Sequence, residues 1–193
     1  AHREILSSLR HFAEATPDFS YQQFETFTRI SLSYNPDIFA LSFNDLVAGK
    51  DLTAYEQRMR RLSPVSGYRV TEMDAQGRLV PVQPRDFHVA VRYITPLDAN
   101  LPAVGYDIYS EPLRREAVSR ARQGDDMAVT APLHLLQEGS AHQGVGVLAV
   151  LPVDWQAGGA ANAGRPAGFA VAVVKVDQLL EIATRGHVPK GLV

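Results

Sequence analysis

The chain has 193 residues, of which 46% are hydrophobic and 21% charged, and its formal net charge is −2. These proportions are typical of a folded soluble protein, and the near-neutral charge gives no electrostatic reason to bind nucleic acid or an anionic membrane. The absence of cysteine excludes disulfides, thiolate metal sites and cysteine nucleophiles. No run approaches the ~18 apolar residues of a membrane span. We expect one large domain, or two small ones that share a core.

Helical spacing of apolar residues dominates the first third of the chain. It predicts a helix that Pro17 closes, a second helix from Tyr21 with Ser20 as its N-cap, and a third over residues 52–62. Residues 38–47 fit a helix or a buried strand equally well, because a short apolar run does not decide between the two periods.

From Gly67 onward, alternation and turn residues predict a sheet. The predicted strands cover residues 68–73, 79–82, 87–94, 103–109, 128–130, 133–137, 147–153 and 169–174. The other predicted pieces are a helix that Ser110-Glu111-Pro112 opens and Gly124 ends, a glycine-rich hairpin at 139–146, a surface loop at 157–167 and a helix at 176–184. Helices followed by strands indicate an α+β fold with an antiparallel sheet.

Patterns typical of catalysis or metal binding are weak. There is no G-x-S-x-G elbow and no H-E-x-x-H motif, and Ser140 and His142 fit solvated turn residues. His88 and His134 fall within predicted strands, where they are ordinary sheet histidines or face a cavity. The glycines of residues 158–164 lack the Lys-Ser or Lys-Thr of a phosphate loop, which favours a surface loop. We expect no catalytic residue, no metal and no cofactor.

Charged residues of the predicted 112–124 helix and the strand before it allow two interpretations each. The arginine pairs Arg114–Arg115 and Arg120–Arg122 lie along one helix with Glu111 and Glu116, which favours a salt-bridged solvated face over a small basic patch for an anion. Asp107 sits among apolar residues, so it faces solvent by alternation, or lies inside and is paired.

A curved sheet packed on helices encloses a mostly apolar cavity that carries a few polar groups. In such a cavity, tyrosines stack on a planar ligand, and Asp86 or Asp107 accepts hydrogen bonds from a ring or an amine. A threonine holds the tail, and other inward residues line the walls. The candidate ligand-binding residues are Asp86, His88, Tyr93, Tyr106, Asp107, Thr130 and Leu135.

Several motifs in a fixed order resemble the CHASE domain. The specific part runs from Tyr93 to Glu138 and contains Tyr93-Ile94-Thr95-Pro96-Leu97-Asp98-Ala99-Asn100, Gly105-Tyr106-Asp107-Ile108-Tyr109-Ser110-Glu111-Pro112, Ala121-Arg122-Gln123-Gly124, Thr130-Ala131-Pro132 and Leu136-Gln137-Glu138. The resemblance covers about residues 20 to 175. The chain departs from the family at Phe43 and Asp45, where many members have tryptophan and then proline, and at Leu52 and Ala90. These departures weaken any transfer of ligand identity.

The resemblance implies an extracytoplasmic (periplasmic) sensor that lies between two membrane spans of an inner-membrane receptor. Outputs in the family include histidine kinases of two-component systems, diguanylate cyclases, phosphodiesterases and adenylyl cyclases. The resemblance further implies a long helical stalk and junction at residues 1–66, a distal PAS-like ligand-binding subdomain at 67–174, and the start of a membrane-proximal PAS-like subdomain at 175–193. We expect a small-molecule ligand, adenine-type as in plant members or another metabolite, and a homodimer through the stalk helix.

Two alternatives to a small-molecule receptor stay open at this point. A periplasmic protein-interaction module would expose a large apolar patch and leave its pocket empty. A hydrolase would use the region of Asp86, His88 and Asp107, but the sequence offers no activated nucleophile.

Overall fold

The computed structural model describes residues 2–136, 144–154 and 167–176. Within these residues the helices and strands are α1 (His2–Ala15), α2 (Tyr21–Tyr34), β1 (Ile38–Ala48), α3 (Leu52–Leu62), β2 (Thr71–Met73), β3 (Leu79–Pro81), β4 (Phe87–Thr95), α4 (Pro112–Gly124), β5 (Ala128–Val129), β6 (Leu133–His134), β7 (Val145–Val153) and β8 (Gly168–Lys175). Short 3-10 helices add Gly49–Asp51, Asp98–Ala103 and Ile108–Ser110.

One antiparallel sheet organises these elements in the order β4-β1-β8-β7-β5, and β6 also pairs with β7. A separate hairpin joins β2 to β3. Helices α1 and α2 pack on one face of the sheet, and α4 packs on the other. The predicted α+β fold with an antiparallel sheet and flanking helices is confirmed.

The ambiguous segment at residues 38–47 is strand β1, which lies between β4 and β8. Both faces of this strand are covered, so eight of its eleven residues are buried and the alternation that marks a half-buried strand is lost. Because β1 belongs to the segment 1–66, that segment supplies a central strand as well as three helices and shares the core of the sheet.

The strand predicted at 103–109 is wrong. Gly105 has a φ of 79°, and a Cβ there would lie 2.1 Å from the carbonyl oxygen of Arg69. The chain therefore turns at Gly105 between two 3-10 helices, and only isolated bridges at Tyr106 and Asp107 tie the segment to Thr71 and β4. The strands predicted at 68–73, 128–130 and 133–137 are present but shorter.

The predicted N-cap of α2 is confirmed. Ser20 Oγ accepts from the Gln23 amide, and Gln23 Oε1 accepts from the Ser20 amide, which together form a capping box. Helix α4 ends at Gly124 as predicted, and Glu111 caps its start by accepting from two backbone amides.

The face of the sheet under α1, α2 and α3 forms the helical-face core. Leu6, Leu9 and Ala13 of α1 are fully buried against it. An aromatic cluster centred on Phe19 fills the space between helices and sheet, and it includes Tyr93. Helix α1 has 14 residues and lies across β7 and β8.

Parts of three predicted elements lie outside the described residues. These are the turn of the hairpin at 139–146, most of the loop at 157–167 and the helix at 176–184 except its first residue. In the described part of the chain, no helix is both long and apolar enough to cross a bilayer.

Candidate ligand-binding site

A small cavity lies on the face of the sheet opposite α1, between the central strands, the 98–110 segment and α4. Its volume is about 50 Å³, which is room for a few water molecules. The walls are mostly aliphatic and aromatic. The lining residues are Phe39, Ser42, Asn44, Val91, Ile94, Asn100, Ala103, Tyr106, Ile108, Arg114, Leu135, Leu136, Leu148, Val171 and Val173.

Arg114 is a charged residue of this wall, and it is buried. It shares the inward stripe of α4 with Ala117, Val118 and Ala121, at the helical spacing of a core face. Its Nη2 donates to the His134 carbonyl at 3.1 Å, and Nη1 donates to Glu111 Oε2 at 3.4 Å. The guanidinium carbon lies 5.5 Å from the centre of the Tyr106 ring. The default interpretation of a solvated arginine face is therefore wrong for Arg114.

Two polar residues of β1, Ser42 and Asn44, border the cavity from the sheet. Asn44 is fully buried, and its Nδ2 donates to Ser42 Oγ at 3.0 Å and to the Phe169 carbonyl at 3.3 Å. Because the Phe169 carbonyl can only accept, the nitrogen and not the oxygen of the amide must face it, and the amide orientation is fixed. Asn44 Oδ1 is buried and has no hydrogen-bond partner in the described part of the chain.

The structure brings two of the predicted ligand-binding residues, Tyr106 and Leu135, to the cavity wall. Asn100 joins them from the 3-10 helix Asp98–Ala103, and its Nδ2 donates to the Pro96 carbonyl at 2.8 Å.

Asp107 and His88 form a buried pair beside the cavity. Asp107 Oδ2 lies 2.9 Å from His88 Nδ1, and Asp107 Oδ1 accepts from the amides of Val89 and Tyr109. These bonds fasten the 98–110 segment to the outer edge of β4. Asp107 lies inside and is paired, and neither side chain is among the cavity wall residues.

The other three candidates lie elsewhere. Asp86 is exposed at the edge of the sheet. Tyr93 is buried on the opposite face, where its ring packs against Phe19 and Phe24. Thr130 Oγ1 accepts from the Leu148 amide at 3.0 Å, and this bond ties the segment between β5 and β6 to β7.

A second buried polar group lies in the helical-face core. Tyr55 donates to Asp45 Oδ2 at 2.9 Å, its hydroxyl lies 3.1 Å from that of Tyr68, and Arg92 Nε approaches Asp45 at 3.8 Å. Burial raises the pKa of Asp45, although the Arg92 charge and the Tyr55 hydrogen bond oppose this. Burial likewise raises the pKa of Tyr55 and of Tyr68. No group of acidic or histidine side chains with a geometry for metal binding occurs in the described ranges.

The family model of the CHASE domain matches residues 17–192. The chain belongs to the CHASE domain family. The sequence has no match among curated proteins. Among solved structures, the periplasmic sensory domain of the Campylobacter jejuni chemoreceptor Tlp1 is similar with a TM-score of 0.51 and 12% identity, over 99% of this chain and 56% of that one.

A second solved structure, titled Methyl-accepting Chemotaxis protein X, has a TM-score of 0.45 and 12% identity, over 93% of this chain and 57% of the other. The chain thus spans a little more than half the length of these two structures. The predicted family is confirmed, and this CHASE domain is an extracytoplasmic sensing domain.

Sequence reasoning missed the polar groups of the cavity in this CHASE domain, namely Arg114, Asn44 and Ser42. A signal for Arg114 was present, because it stands three, four and seven residues before the three buried residues of α4. No comparable signal marked Asn44, since the sequence did not decide whether its segment was a strand.

Proposed function

We propose that this CHASE domain binds a small molecule in the cavity between α4 and the central strands. The observation that carries the proposal is a buried arginine and a buried asparagine, whose amide oxygen has no partner among the described residues, at the wall of a mostly apolar cavity. A buried polar atom without a partner costs free energy, about 1–3 kcal/mol. A ligand that satisfies Asn44 Oδ1 would recover this cost.

The size of the cavity bears on the expected adenine-type ligand. Pockets for drug-sized ligands have volumes of about 300–1,000 Å³, whereas this cavity measures about 50 Å³. We therefore favour a ligand smaller than a purine. A purine would require α4 or the 98–110 segment to move outward.

The two faces of β7 and β8 offer a route from ligand to output. Leu148, Val171 and Val173 line the cavity, while the neighbouring residues Ala149 and Ala172 belong to the helical-face core. Helix α1 lies on the same two strands. A ligand that favours one arrangement of these strands therefore biases the position of α1, provided that its affinity for the two arrangements differs.

In the full receptor we propose that α1 belongs to the stalk of a homodimer and carries the signal across flanking membrane spans to a histidine kinase or a cyclic-di-GMP enzyme. The central β1, helices on both faces and a cavity on one face support a PAS-like subdomain. A cysteine introduced at an exposed position of α1, such as Ser8, tests the dimer, because the cysteines of two copies can then cross-link. Absence of cross-linking between full-length receptors in any ligand state would contradict it.

The test of ligand binding is thermal unfolding of the domain against N6-substituted adenines, amino acids and organic acids. A compound at ~100 times its dissociation constant adds about 2.7 kcal/mol to the free energy of unfolding. The Ala103→Leu variant fills the cavity and should abolish the shift, whereas Ala54→Leu on the exposed side of α3 should keep it. If no compound shifts the transition, the proposal fails.

A protein-interaction role is the alternative, and one feature of α2 favours it. Ile30 is 61% exposed and Tyr34 is 81% exposed, and the two stand one helical turn apart. If the compound panel gives no shift, the double variant Ile30→Asp, Tyr34→Ser tests this role. It should abolish a contact between copies of the receptor or with a periplasmic protein.

A further inference from the structure

The charged side chains among the described residues of the cavity wall have one sign only. Arg114 supplies a positive charge, and no acidic residue is among the described residues that line the cavity. A guanidinium has five N–H donors, and the hydrogen bonds of Arg114 use one donor on each of two nitrogens. Donors are therefore left for a further acceptor.

Glu111 only partly neutralises Arg114. Its Oε2 is 3.4 Å from Nη1, near the long limit of a hydrogen bond. The same carboxylate accepts from the backbone amides of Leu113 and Arg114 at 3.1 and 3.0 Å. Its charge is thus shared with the positive end of α4, and Arg114 can take a second anion.

The opposite wall supplies an acceptor and a hydroxyl. Asn44 Oδ1 is buried without a partner in the described part of the chain, and its orientation is fixed by the bond of Nδ2 to the Phe169 carbonyl. Ser42 Oγ accepts from Asn44, so its own hydrogen is available for a ligand oxygen. A donor on the ligand would satisfy Asn44.

We infer that the ligand is a small monocarboxylate with a hydroxyl group close to the carboxylate and a short apolar chain, the class of 2-hydroxy acids. This rests on the proposed ligand-binding function. The carboxylate pairs with Arg114, the hydroxyl donates to Asn44 Oδ1, and the chain packs on Val91, Ile94 and Leu148. The two polar groups of the ligand lie close together because one cavity of about 50 Å³ touches both side chains.

The same wall discriminates against an amino acid. An ammonium group in place of the hydroxyl would bring a second charge into a site whose described lining has no carboxylate. A buried charge without a partner is strongly unfavourable. The 2-hydroxy acid is therefore preferred over the amino acid of the same shape.

The experiment is isothermal titration calorimetry of the chain with four probes of one shape: (S)-2-hydroxybutanoate, butanoate, (S)-2-hydroxybutanamide and (S)-2-aminobutanoate. We expect the hydroxy acid to bind best. Butanoate should bind ~10-fold more weakly because Asn44 stays unpartnered. The uncharged amide and the amino acid should lose ~10- to 100-fold.

Variants tie the preference to the residues. Arg114→Gln should remove the advantage of the hydroxy acid over its amide, while Arg115→Gln, the exposed neighbour on α4, should keep it. Asn44→Leu should make hydroxybutanoate and butanoate bind equally. If Arg114→Gln does not unfold cooperatively, Arg114→Lys replaces it and should weaken carboxylate binding, because a single ammonium lacks the planar fork.

The outcomes separate the two proposals. If the amide or the amino acid binds as well as the hydroxy acid, the ligand class is overturned and ligand binding in the cavity stands. The same holds if only adenines or other uncharged compounds bind and Ala103→Leu blocks them. If none of the four probes and none of the wider panel binds, both proposals are overturned.

Discussion

The two faces of the sheet differ in how completely their interior is filled, although each has a buried atom without a hydrogen-bond partner among the described residues, Arg92 Nε on the helical face and Asn44 Oδ1 on the cavity face. On the helical face, Asp45, Tyr55 and Tyr68 bond to one another beneath α3, and the aromatic cluster around Phe19 fills the remaining space. On the cavity face, Asn44 keeps an unpartnered oxygen, and Arg114 borders empty volume. The helical face thus has the features of a structural core, and the cavity face those of the ligand-binding site that we propose.

Adjacent residues of one strand divide these roles. Asn44 and Asp45 follow each other on β1, and their side chains point to opposite faces because successive strand residues alternate. The central strand therefore positions the proposed binding group, Asn44, while its neighbour Asp45 anchors the strand to α3. Support of this kind limits the movement of the binding group.

The largest expected effect on stability comes from creating a cavity in the helical-face core. Phe19→Ala removes a buried ring that packs on Phe43 and Tyr93, and we expect a loss of about 3–5 kcal/mol in the free energy of unfolding. Urea denaturation measures it. Leu136→Ala, beside the existing cavity and only partly buried, should cost clearly less. Equal losses would mean that the two faces are packed alike.

A somewhat smaller loss of stability is expected where the 98–110 segment, which covers the cavity, is bonded to the edge of β4. Asp107→Ala leaves His88 Nδ1 and the amides of Val89 and Tyr109 without their acceptor, which should cost about 3 kcal/mol. Asp86→Ala, at an exposed neighbouring site, should change stability by less than about 0.5 kcal/mol. Thermal unfolding compares the stability losses of the two variants. Similar losses would mean that Asp107 does not hold the 98–110 segment on β4.

A gain in stability is expected at the cavity wall. Asn44→Leu removes a buried oxygen without a partner and keeps a similar volume, so the apo protein should gain about 1 kcal/mol. The same change should weaken ligand binding, as at other sites where function is kept at the expense of stability. A destabilised variant in the same denaturation assay would show that the Nδ2 bonds matter more than the orphan oxygen.

The smallest effect is a pH dependence on the helical face. Burial raises the pKa of Asp45 in the folded state, so the folded protein binds this proton more tightly than the unfolded chain. Stability contributed by the protonated form is therefore lost as the pH rises from the ordinary carboxyl pKa, ~4, through the raised value. Asp45→Asn should remove this slope. Parallel melting curves against pH for the two proteins would contradict it.

Local signals predicted much of the fold. The N-cap at Ser20 and the start and end of α4 follow from short-range chemistry and are confirmed. The strand expected at 103–109 failed because Gly105 turns the chain where it passes the Arg69 carbonyl, a contact with a distant segment that no local pattern encodes. The identity of β1 also depended on its two neighbours in the sheet.

The candidate site was less predictable than the fold. Tyr106 and Leu135 reach the cavity, but Tyr93 points to the other face, because a strand buried on both sides gives no cue to which residues face which core. His88 Nδ1 pairs with Asp107, and neither side chain lines the cavity. Pairing of this kind becomes visible only when the segments come together in space.

The place of β1 in the sheet has a consequence for biogenesis. Ile38 near its start pairs with Val174 near the end of β8, so the centre of the sheet closes only when β8 is present. Until then α1 lacks the strands β7 and β8 on which it packs, and closing so long a loop is entropically costly and slow. A chain that emerges from its N-terminus therefore stays open during synthesis, a state suited to threading through a secretion channel before it folds on the far side of the membrane.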